Sequence, residues 1–277
     1  MASFDFDQAE GLRRMLAGPK PRIVSILSAT SEEEKSAMLV NLGASLAQAG
    51  SDVLLLDASR ATCGIASHLK LAHGATLMEV ARQERALNEV IQPTAQGFNV
   101  ALLGREPGRS PAPDAAQASR LSGVFNLLAR QAGIIVVDAE LGADDAFPVT
   151  EMAASEIVVQ VSSSAASIKS AYGIIKRLNA QLGRRPFSVL VTGATDKEAK
   201  VVYENMAQAA SRYLAVQLNS MGSVPADEHL KRATRLGRSV VEAFPLAGAS
   251  VAFRRLAGRF ALADAPSTGM PAGGVFL

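Results

Sequence analysis

Short, continuous apolar segments alternate with helical patterns along most of this chain. The apolar segments occupy 22–28, 52–57, 100–103, 134–137, 157–161 and 187–191. A strand that is apolar on both sides must be buried on both faces, and helices between successive strands supply the cover. The pattern predicts an α/β fold with a mainly parallel sheet covered by helices on both faces.

Composition excludes several classes of protein. The 277 residues carry 28 basic and 26 acidic side chains, so the net charge of +2 does not indicate a class of partner. The single cysteine, Cys63, cannot form an intramolecular disulfide and has no metal-ligand spacing with the three histidines. No segment reaches the roughly 18 apolar residues that span a bilayer, and the acidic start does not resemble a signal peptide. We expect a cytoplasmic protein without a bound metal.

A short helical pattern stands apart at the start of the chain. Its residues recur at helical spacing within 5–17: Phe6, Ala9, Leu12, Arg13 and Leu16. The segment Gly18-Pro19-Lys20-Pro21 then interrupts the helix. We predict four parts: a helical segment at 1–17, a linker at 18–21, one domain at 22–262 and a flexible tail rich in Ala, Pro and Gly at 263–277.

The loop after the first predicted strand stands where a phosphate-binding loop would lie, because ligands of open α/β sheets bind at the carboxyl ends of the strands. Residues 28–36 read SATSEEEKS, and only Lys35-Ser36 matches the pattern G-x-x-x-x-G-K-S/T. Ser31 and Glu34 have the spacing of a capping box for a helix predicted at 35–49, and Gly50 is its C-terminal signal. Phosphate binding and self-capping are therefore competing interpretations of one loop.

Segments along the chain resemble, in order, the MinD/ParA family of deviant-P-loop ATPases. The similar segments are 23–28, 35–36, 41–43, 53–58, 134–138, 154–159, 171–176, 222–225 and 250–253. This resemblance implies a three-layer P-loop NTPase-like fold. It also implies that Lys35, Ser36, Asp57 and Asp138 would bind nucleotide if binding is retained, with Mg²⁺ held through Ser36, Asp57 and Asp138.

One motif is similar to that of the flagellar FlhG/FleN group within this family. Residues 7–13 read DQAEGLR and resemble the D-Q-A-x-x-L-R segment that precedes the ATPase domain there. The resemblance implies that Asp7, Gln8, Leu12 and Arg13 contact FlhF, a GTPase of the signal-recognition-particle type. It also implies a regulator of flagellar number, placement and biosynthesis that is recruited to the cell pole. A flagellar transcription activator or a switch protein is a further candidate partner.

The phosphate loop departs from the family pattern. Thr30 stands where the family has its signature lysine, and the glycine positions hold Ala29, Ser31, Glu32 and Glu34. The loop therefore loses a positive charge and gains carboxylates. Like charges about 4 Å apart cost up to about 4 kcal/mol at an effective dielectric near 20, so these carboxylates oppose phosphate binding.

The residues that position the attacking water and read the adenine base in the family are also replaced. Ser59 stands at the family's acidic position, Ala66 at its second aspartate, and Thr192 at the asparagine that reads adenine. Together these changes predict that ATP hydrolysis is impaired or lost, with no catalytic residue and no cofactor. An ATP-dependent dimerisation switch that uses Mg-ATP, and a ParA-like DNA or cargo positioning protein, remain alternatives. The retained Asp57 and Asp138 are also compatible with a structural role in capping loops.

Basic residues are concentrated near the end of the predicted domain. Within 229–260, Glu242 is the one acidic residue, and the basic ones are Lys231, Arg232, Arg235, Arg238, Arg254, Arg255 and Arg259. They could form a patch that binds an acidic protein, anionic lipid or DNA, or they could be the solvated faces of helices. We do not expect DNA recognition, because no helix-turn-helix or zinc-finger signature is present. Phe253, Leu256 and Phe260 should pack on the sheet, so membrane association should be weak or indirect. The sequence leaves the oligomeric state open.

Overall fold

The computed structural model describes residues 21–59, 64–72, 74–104, 115–142 and 144–262. The predictions made for Asp7, Gln8, Leu12 and Arg13 lie outside the described residues, as do those for Cys63 and the tail at 263–277. The predicted domain at 22–262 is thus covered apart from short gaps.

One sheet organises the described residues. Its strands are β1 (Arg22–Ser28), β2 (Val53–Asp57), β3 (Gln92–Pro93), β4 (Asn99–Leu102), β5 (Ile134–Asp138), β6 (Glu156–Ser162), β7 (Phe187–Thr192) and β8 (Leu218–Val224). Their spatial order is β3-β4-β2-β5-β1-β6-β7-β8, and every neighbouring pair is parallel except β3 and β4. The prediction of a mainly parallel sheet is confirmed.

Helices connect most of the strands. They are α1 (Glu32–Gln48), α2 (Ile65–His68), α3 (Leu77–Ala81), α4 (Ala115–Ala129), α5 (Thr150–Ala154), α6 (Ala165–Leu182), α7 (Asp196–Leu214), α8 (Glu228–Arg235), α9 (Val240–Ala243) and α10 (Gly248–Leu262). Within the described ranges, none of them combines the length and apolar character needed to cross a bilayer.

Successive side chains of each central strand enter opposite cores. On β5, Ile135 and Val137 lie in one core, whereas Ile134 and Val136 lie in the other. Helices α4, α6 and α7 contribute to the first core, and α1 and α10 contribute to the second. Because both faces of the sheet are covered, the central strands are apolar on both sides, which explains the continuous runs in the sequence.

The start of α1 corrects the sequence prediction. The helix was predicted from residue 35, but it begins at Glu32 because Ser31 is its N-cap and Glu34 completes a capping box. Its first turn is therefore the run of three glutamates, whose carboxylates suit the positive end of a helix. At the other end, Gly50 has a φ of 87°, as expected for a C-terminal signal.

The two edge strands were not evident from the sequence. β3 has two residues and contains Pro93, which suits an edge because proline cannot donate to a ladder. β8 reads LNSMGSV and exposes Asn219 and Ser220. Its register shifts where Met221 is inserted before Gly222, whose φ is 129°. Such edge strands lack the continuous apolar run that identifies a central strand.

Candidate functional site

The carboxyl ends of β1, β2 and β5 meet at one edge of the sheet. β5 lies between the other two strands, and Asp57 and Asp138 are register partners at the ends of β2 and β5. Three residues separate the end of β1 from the start of helix α1, which has Lys35 and Ser36 in its first two turns. The predicted placement of the two aspartates at adjacent strand ends is confirmed.

Lys35 is held by the end of β5. Its ammonium forms a short ion pair with the carboxylate of Asp138 and donates a hydrogen bond of 3.0 Å to the Ala139 carbonyl. Only 3% of the Lys35 side chain and 0% of the Asp138 side chain are exposed. Neither Asp138 oxygen accepts a well-directed hydrogen bond from the described residues, so the ion pair is what compensates this buried charge.

The electrostatic surroundings of Asp138 are unfavourable to added negative charge. Burial raises the pKa of Asp138 to about 6, although the attraction of Lys35 opposes that rise. The carboxylates of Asp57 and Glu32 raise the same pKa further. A phosphate placed at this edge would meet those carboxylates, while the nearby ammonium is already paired.

Asp57 is occupied by the loop that follows β2. One carboxylate oxygen accepts the Ser59 N–H at 3.2 Å, and the other accepts the Ala66 N–H at 3.2 Å. Helix α2 has Gly64 at its N-cap and no side-chain cap of its own, so Asp57 supplies the missing acceptor. A Cβ added to Gly64 would lie 2.4 Å from the Asp57 carboxylate, so the close approach needs glycine. The capping role considered for this aspartate is observed.

Three backbone N–H groups of the loop at 28–36 donate to side chains of the loop itself. The Thr30 N–H donates to the Ser28 hydroxyl at 3.0 Å, and the Ser31 N–H donates to the Glu34 carboxylate at 3.2 Å. In return, the Glu34 N–H donates to the Ser31 hydroxyl at 3.3 Å. A phosphate loop would direct such groups at phosphate oxygens. Here the capping box holds the Ser31 and Glu34 N–H groups, and the carboxylate of Glu34 is the anion that accepts from Ser31.

Ser59 and Thr192, which replace the family residues for the attacking water and the adenine base, also make contacts within the protein. The Ser59 hydroxyl lies 3.5 Å from the Glu32 carboxylate. The Thr192 hydroxyl accepts a hydrogen bond of 3.1 Å from the side-chain amide of Gln160. Ser36, the remaining predicted Mg²⁺ ligand, is fully buried. Across the described ranges, no three or more His, Cys, Asp or Glu side chains are grouped so as to hold a metal ion.

Two residues at this edge were missed by sequence reasoning. Gln160 is fully buried and interrupts the otherwise apolar segment EIVVQVS of β6, and that interruption was the available signal. Gly64 gave no comparable signal, because its importance comes from its approach to Asp57 across the loop.

The basic residues near the end of the domain are partly engaged in the fold. Arg238 pairs with Glu242 at 2.8 Å, and Arg259 donates to the carbonyls of Ser220 and Met221 in β8. Phe253, Leu256 and Phe260 are buried in the second core, as expected. Helix α10 is thus an integral layer of the domain.

Curated proteins with similar sequences agree with this architecture. No family profile matches the chain. It is 29% identical over 239 residues to the antiactivator FleN of Pseudomonas aeruginosa, and the alignment covers 85% of each protein. It is 24% identical over 248 residues to the septum site-determining protein MinD of Synechocystis, which covers 88% of this chain and 91% of that protein.

Solved structures of MinD proteins have the same fold. The MinD cell division protein of Aquifex aeolicus superimposes with a TM-score of 0.62 at 22% identity, covering 87% of this chain and 96% of that one. The cell division ATPase MinD of Pyrococcus furiosus gives a TM-score of 0.64 at 18% identity, covering 87% and 99%. The chain is thus similar in sequence to FleN and MinD proteins and has the fold of the MinD structures, which supports its resemblance to the MinD/ParA family.

Proposed function

We propose that this protein is a flagellar regulator of the FlhG/FleN kind that acts by binding other proteins, with ATP hydrolysis impaired or lost. The similarity to the antiactivator FleN supports a regulatory role. The observation that carries the second half of the proposal is the loop at 28–36, where a capping box holds the Ser31 and Glu34 N–H groups and the Ser28 hydroxyl holds the Thr30 N–H.

Nucleotide binding would require Lys35 to leave its partner. The ammonium would have to move from the Asp138 carboxylate to a phosphate, and a buried carboxylate would remain behind. Breaking a buried ion pair in this way typically costs about 3–5 kcal/mol. Micromolar binding is worth about 8 kcal/mol, so this cost alone removes a large part of it.

Binding of Mg²⁺ would make a second demand on the site. Asp57 would have to exchange its hydrogen bonds with Ser59 and Ala66 for a metal ligand. One of its two oxygens now caps the start of α2 through the Ala66 N–H, so the exchange would release that turn. The site therefore fits Mg-ATP poorly, and we expect no cofactor.

The proposed partner is a GTPase of the FlhF type, contacted through the N-terminal segment. The motif DQAEGLR supports this assignment, with Asp7, Gln8 and Arg13 as polar contacts and Leu12 as an apolar anchor. In this organisation residues 1–17 bind the partner, 18–21 form a linker, 22–262 form the domain, and 263–277 form a tail. The protein would act in the cytoplasm and be recruited to the cell pole.

Calorimetric titration of the full chain with Mg-ATP and with Mg-ADP tests the loss of nucleotide control. We expect no saturable heat, with FleN of Pseudomonas aeruginosa titrated in parallel as a reference. Micromolar binding and ATP turnover that Lys35→Ala abolishes would contradict the proposal. That outcome would support an ATP-dependent dimerisation switch, for which Lys35, Ser36, Asp57 and Asp138 are retained.

A GTPase assay tests the partner. The full chain should raise GTP turnover by the cognate FlhF-type GTPase, and Gln8→Ala should weaken the effect. Gln131→Ala is the matched control, because it makes the same change at an exposed position of the domain. Unchanged turnover at saturating protein would contradict the proposed partner.

A further inference from the structure

The outward side of helix α10 is basic and partly apolar. We call it the α10 face and define it as Val251, Arg254, Arg255 and Gly258. These residues have the spacing i, i+3, i+4 and i+7, which places them on one side of the helix, and all four are exposed. The other side of α10 is buried in the second core, so packing fixes which residues face outward. Among the described residues, no carboxylate forms an ion pair with either arginine of this face.

The N-terminal segment enters the domain beside the C-terminal end of α10. The Arg22 guanidinium donates a hydrogen bond of 2.6 Å to the Phe260 carbonyl and lies over the Phe260 ring at 4.7 Å from its centroid. Its other terminal nitrogen pairs with Glu156 at 2.7 Å, so Arg22 is held from two directions. Five peptide steps join residue 17 to Arg22 and span at most about 18 Å. The end of the N-terminal segment therefore stays near the end of α10.

The first part of the N-terminal segment carries the charge that the α10 face lacks. Residues 1–12 contain no lysine or arginine and three acidic residues: Asp5, Asp7 and Glu10. The tail at 263–277, which follows α10 directly, contains a single acidic residue, Asp264. Charge complementarity therefore favours the N-terminal segment over the tail as the occupant of this face.

The spacing of the two elements also matches. With residue 17 level with residue 262, the last of α10, Glu10 lies level with Arg255 and Phe6 lies level with Val251. Both pairs of residues have the helical spacing i, i+4, so a carboxylate meets a guanidinium and an aromatic ring meets an exposed valine.

The same register places the next basic residue favourably. Arg13 lies level with Gly258, around which there is open space, near the C-terminal end of α10. The negative end of a helix dipole favours a positive charge there.

Helix α4 ends at the same edge of the sheet and is the nearest alternative. The Arg22 N–H donates to the Gly133 carbonyl at 2.9 Å, four residues after the end of α4. Counted from the last residue of α4 in the same way, the positions level with Phe6 and Glu10 are Ala118 and Ser122. These positions offer no positive charge to the carboxylate.

We propose that the α10 face is the docking site of the chain's own residues 5–17. Single exposed ion pairs are weak, but a short linker raises the effective concentration of a tethered segment to about the millimolar range. A few weak contacts are then enough to keep the segment on the face for much of the time.

Docking in this register presents the residues proposed to contact the GTPase. At 100° per residue, Phe6 and Glu10 lie on one side of the predicted helix, and Gln8 and Leu12 lie about 160° away from them. A helix this short is marginal alone in water, so docking orders it beforehand and lowers the cost of binding a partner. This consequence rests on the proposed function, whereas the docking itself does not.

Disulfide trapping in the full chain tests the docking. The variants Arg13→Cys and Gly258→Cys are combined, with Cys63→Ser to remove the native thiol. Mild oxidation should join the two positions within one chain, because a disulfide needs Cα atoms no more than about 7 Å apart.

The matched control combines Arg13→Cys with Gln131→Cys in the same Cys63→Ser background. Gln131 is exposed and lies two residues before Gly133, as Gly258 lies two residues before Phe260, so both positions are close to where Arg22 is held. The pair with Gly258→Cys should close at least about tenfold faster than this control.

Charge reversal tests the register. Adding Arg255→Glu to the trapping pair should slow closure about fivefold, and adding Glu10→Lys as well should restore it. Arg130→Glu, at an exposed position after α4, should leave closure unchanged. Closure should also slow at about 0.5 M salt, where the screening length is short. Far-UV circular dichroism checks that each variant folds.

The outcomes separate the docking from the proposed function. Equal closure rates for the two cysteine pairs, or disulfides formed only between chains, would overturn the docking. In the GTPase assay, Arg255→Glu should weaken the stimulation at subsaturating protein, and Glu10→Lys should restore it. Trapping as expected without any stimulation of GTP turnover would support the docking and contradict the proposed partner.

Discussion

Lys35 and Asp138 form an ion pair from which solvent is almost completely excluded, since neither side chain is more than 3% exposed. The lysine comes from the second turn of α1 and the aspartate from the end of β5, so the pair joins the helix to the sheet. The resemblance to the family implies that this lysine would bind a phosphate of the nucleotide. In this structure it pairs with the carboxylate at the end of β5.

Breaking this pair from either side should have unequal effects. Asp138→Asn resembles the protonated carboxyl, which the raised pKa shows to be favoured in the folded state, so it should lower the free energy of unfolding little at neutral pH. Lys35→Met should lower it more, by up to about 3–5 kcal/mol, because the buried Asp138 carboxylate loses its counter-charge. The double variant should be more stable than the sum of the two changes predicts. Urea unfolding at neutral pH measures all three, and strict additivity would contradict a direct pairing.

Asp138 should also give stability an unusual pH dependence. Its pKa is raised from 3.8 to about 6, so the folded state binds more protons than the unfolded state between those values. The stabilisation from the protonated group is complete below the unfolded pKa and is lost as the pH rises through the folded pKa. The resulting loss is of the order of 2–3 kcal/mol. Urea unfolding between about pH 4 and pH 7 should show wild type losing this much relative to Asp138→Asn.

Asp227 provides a control of opposite sign for that experiment. Partial burial acts to raise its pKa, but hydrogen bonds from the Ala249 and His229 N–H groups lower it overall. Its contribution is present above the unfolded value of 3.8 and is lost as the pH falls through the folded pKa. The stability gap between wild type and Asp227→Asn should therefore shrink on acidification. The same trend in both variants would contradict the sign assigned to Asp138.

Sequence periodicity predicted the central strands well because burial on both faces leaves a continuous apolar run. β5 shows this clearly, since each of its five residues is buried. Strand β8 was not predicted, because it lies at the edge of the sheet, where Asn219 and Ser220 are exposed and a bulge interrupts the pairing. Register and sheet order at the edges depend on such local irregularities, which apolar periodicity does not encode.

Sequence reasoning was also effective for residue types at the site but not for their contacts. The spacing of Ser31 and Glu34 predicted a capping box, and the structure contains it. The ion pair of Lys35 with Asp138 joins residues more than 100 positions apart, and no local pattern predicts which partner a buried lysine takes. Long-range pairing is fixed by strand order, which had to come from the fold.

Because Gly64 lies close to Asp57, replacing it by alanine should lower the free energy of unfolding. In Gly64→Ala the new Cβ would lie 2.4 Å from the carboxylate, so the loop must shift and the hydrogen bond to Ala66 must lengthen. We expect a loss of about 1–3 kcal/mol in unfolding free energy. Gly173→Ala is the control, because that glycine lies within α6 and has open space around it. It should gain up to about 1 kcal/mol from helix propensity, and equal losses in both variants would contradict the close approach.

The last prediction separates the two functions that the glutamate run could serve at the start of α1. If Glu34 acts through the capping box, Glu34→Ala should lower the free energy of unfolding by about 1 kcal/mol, because the Ser31 N–H loses its acceptor. Glu34→Gln should lie within about 0.5 kcal/mol of wild type, since glutamine serves the same box. Glu33→Ala is the matched control: it removes the same charge from the same turn, outside the box.

Thermal and urea unfolding at neutral pH decide between these effects. Equal losses in Glu33→Ala and Glu34→Ala would mean that attraction to the helix dipole dominates and that the box contributes little. A loss confined to Glu34→Ala, with Glu34→Gln unaffected, would mean that the hydrogen bond of the capping box stabilises the loop and that the charge of Glu34 contributes little. In that case, neutralising Glu34 should not by itself restore phosphate binding, because the glutamine side chain still occupies the Ser31 N–H. Calorimetry of Glu34→Gln with Mg-ATP should then remain without saturable heat, as for the unmodified chain.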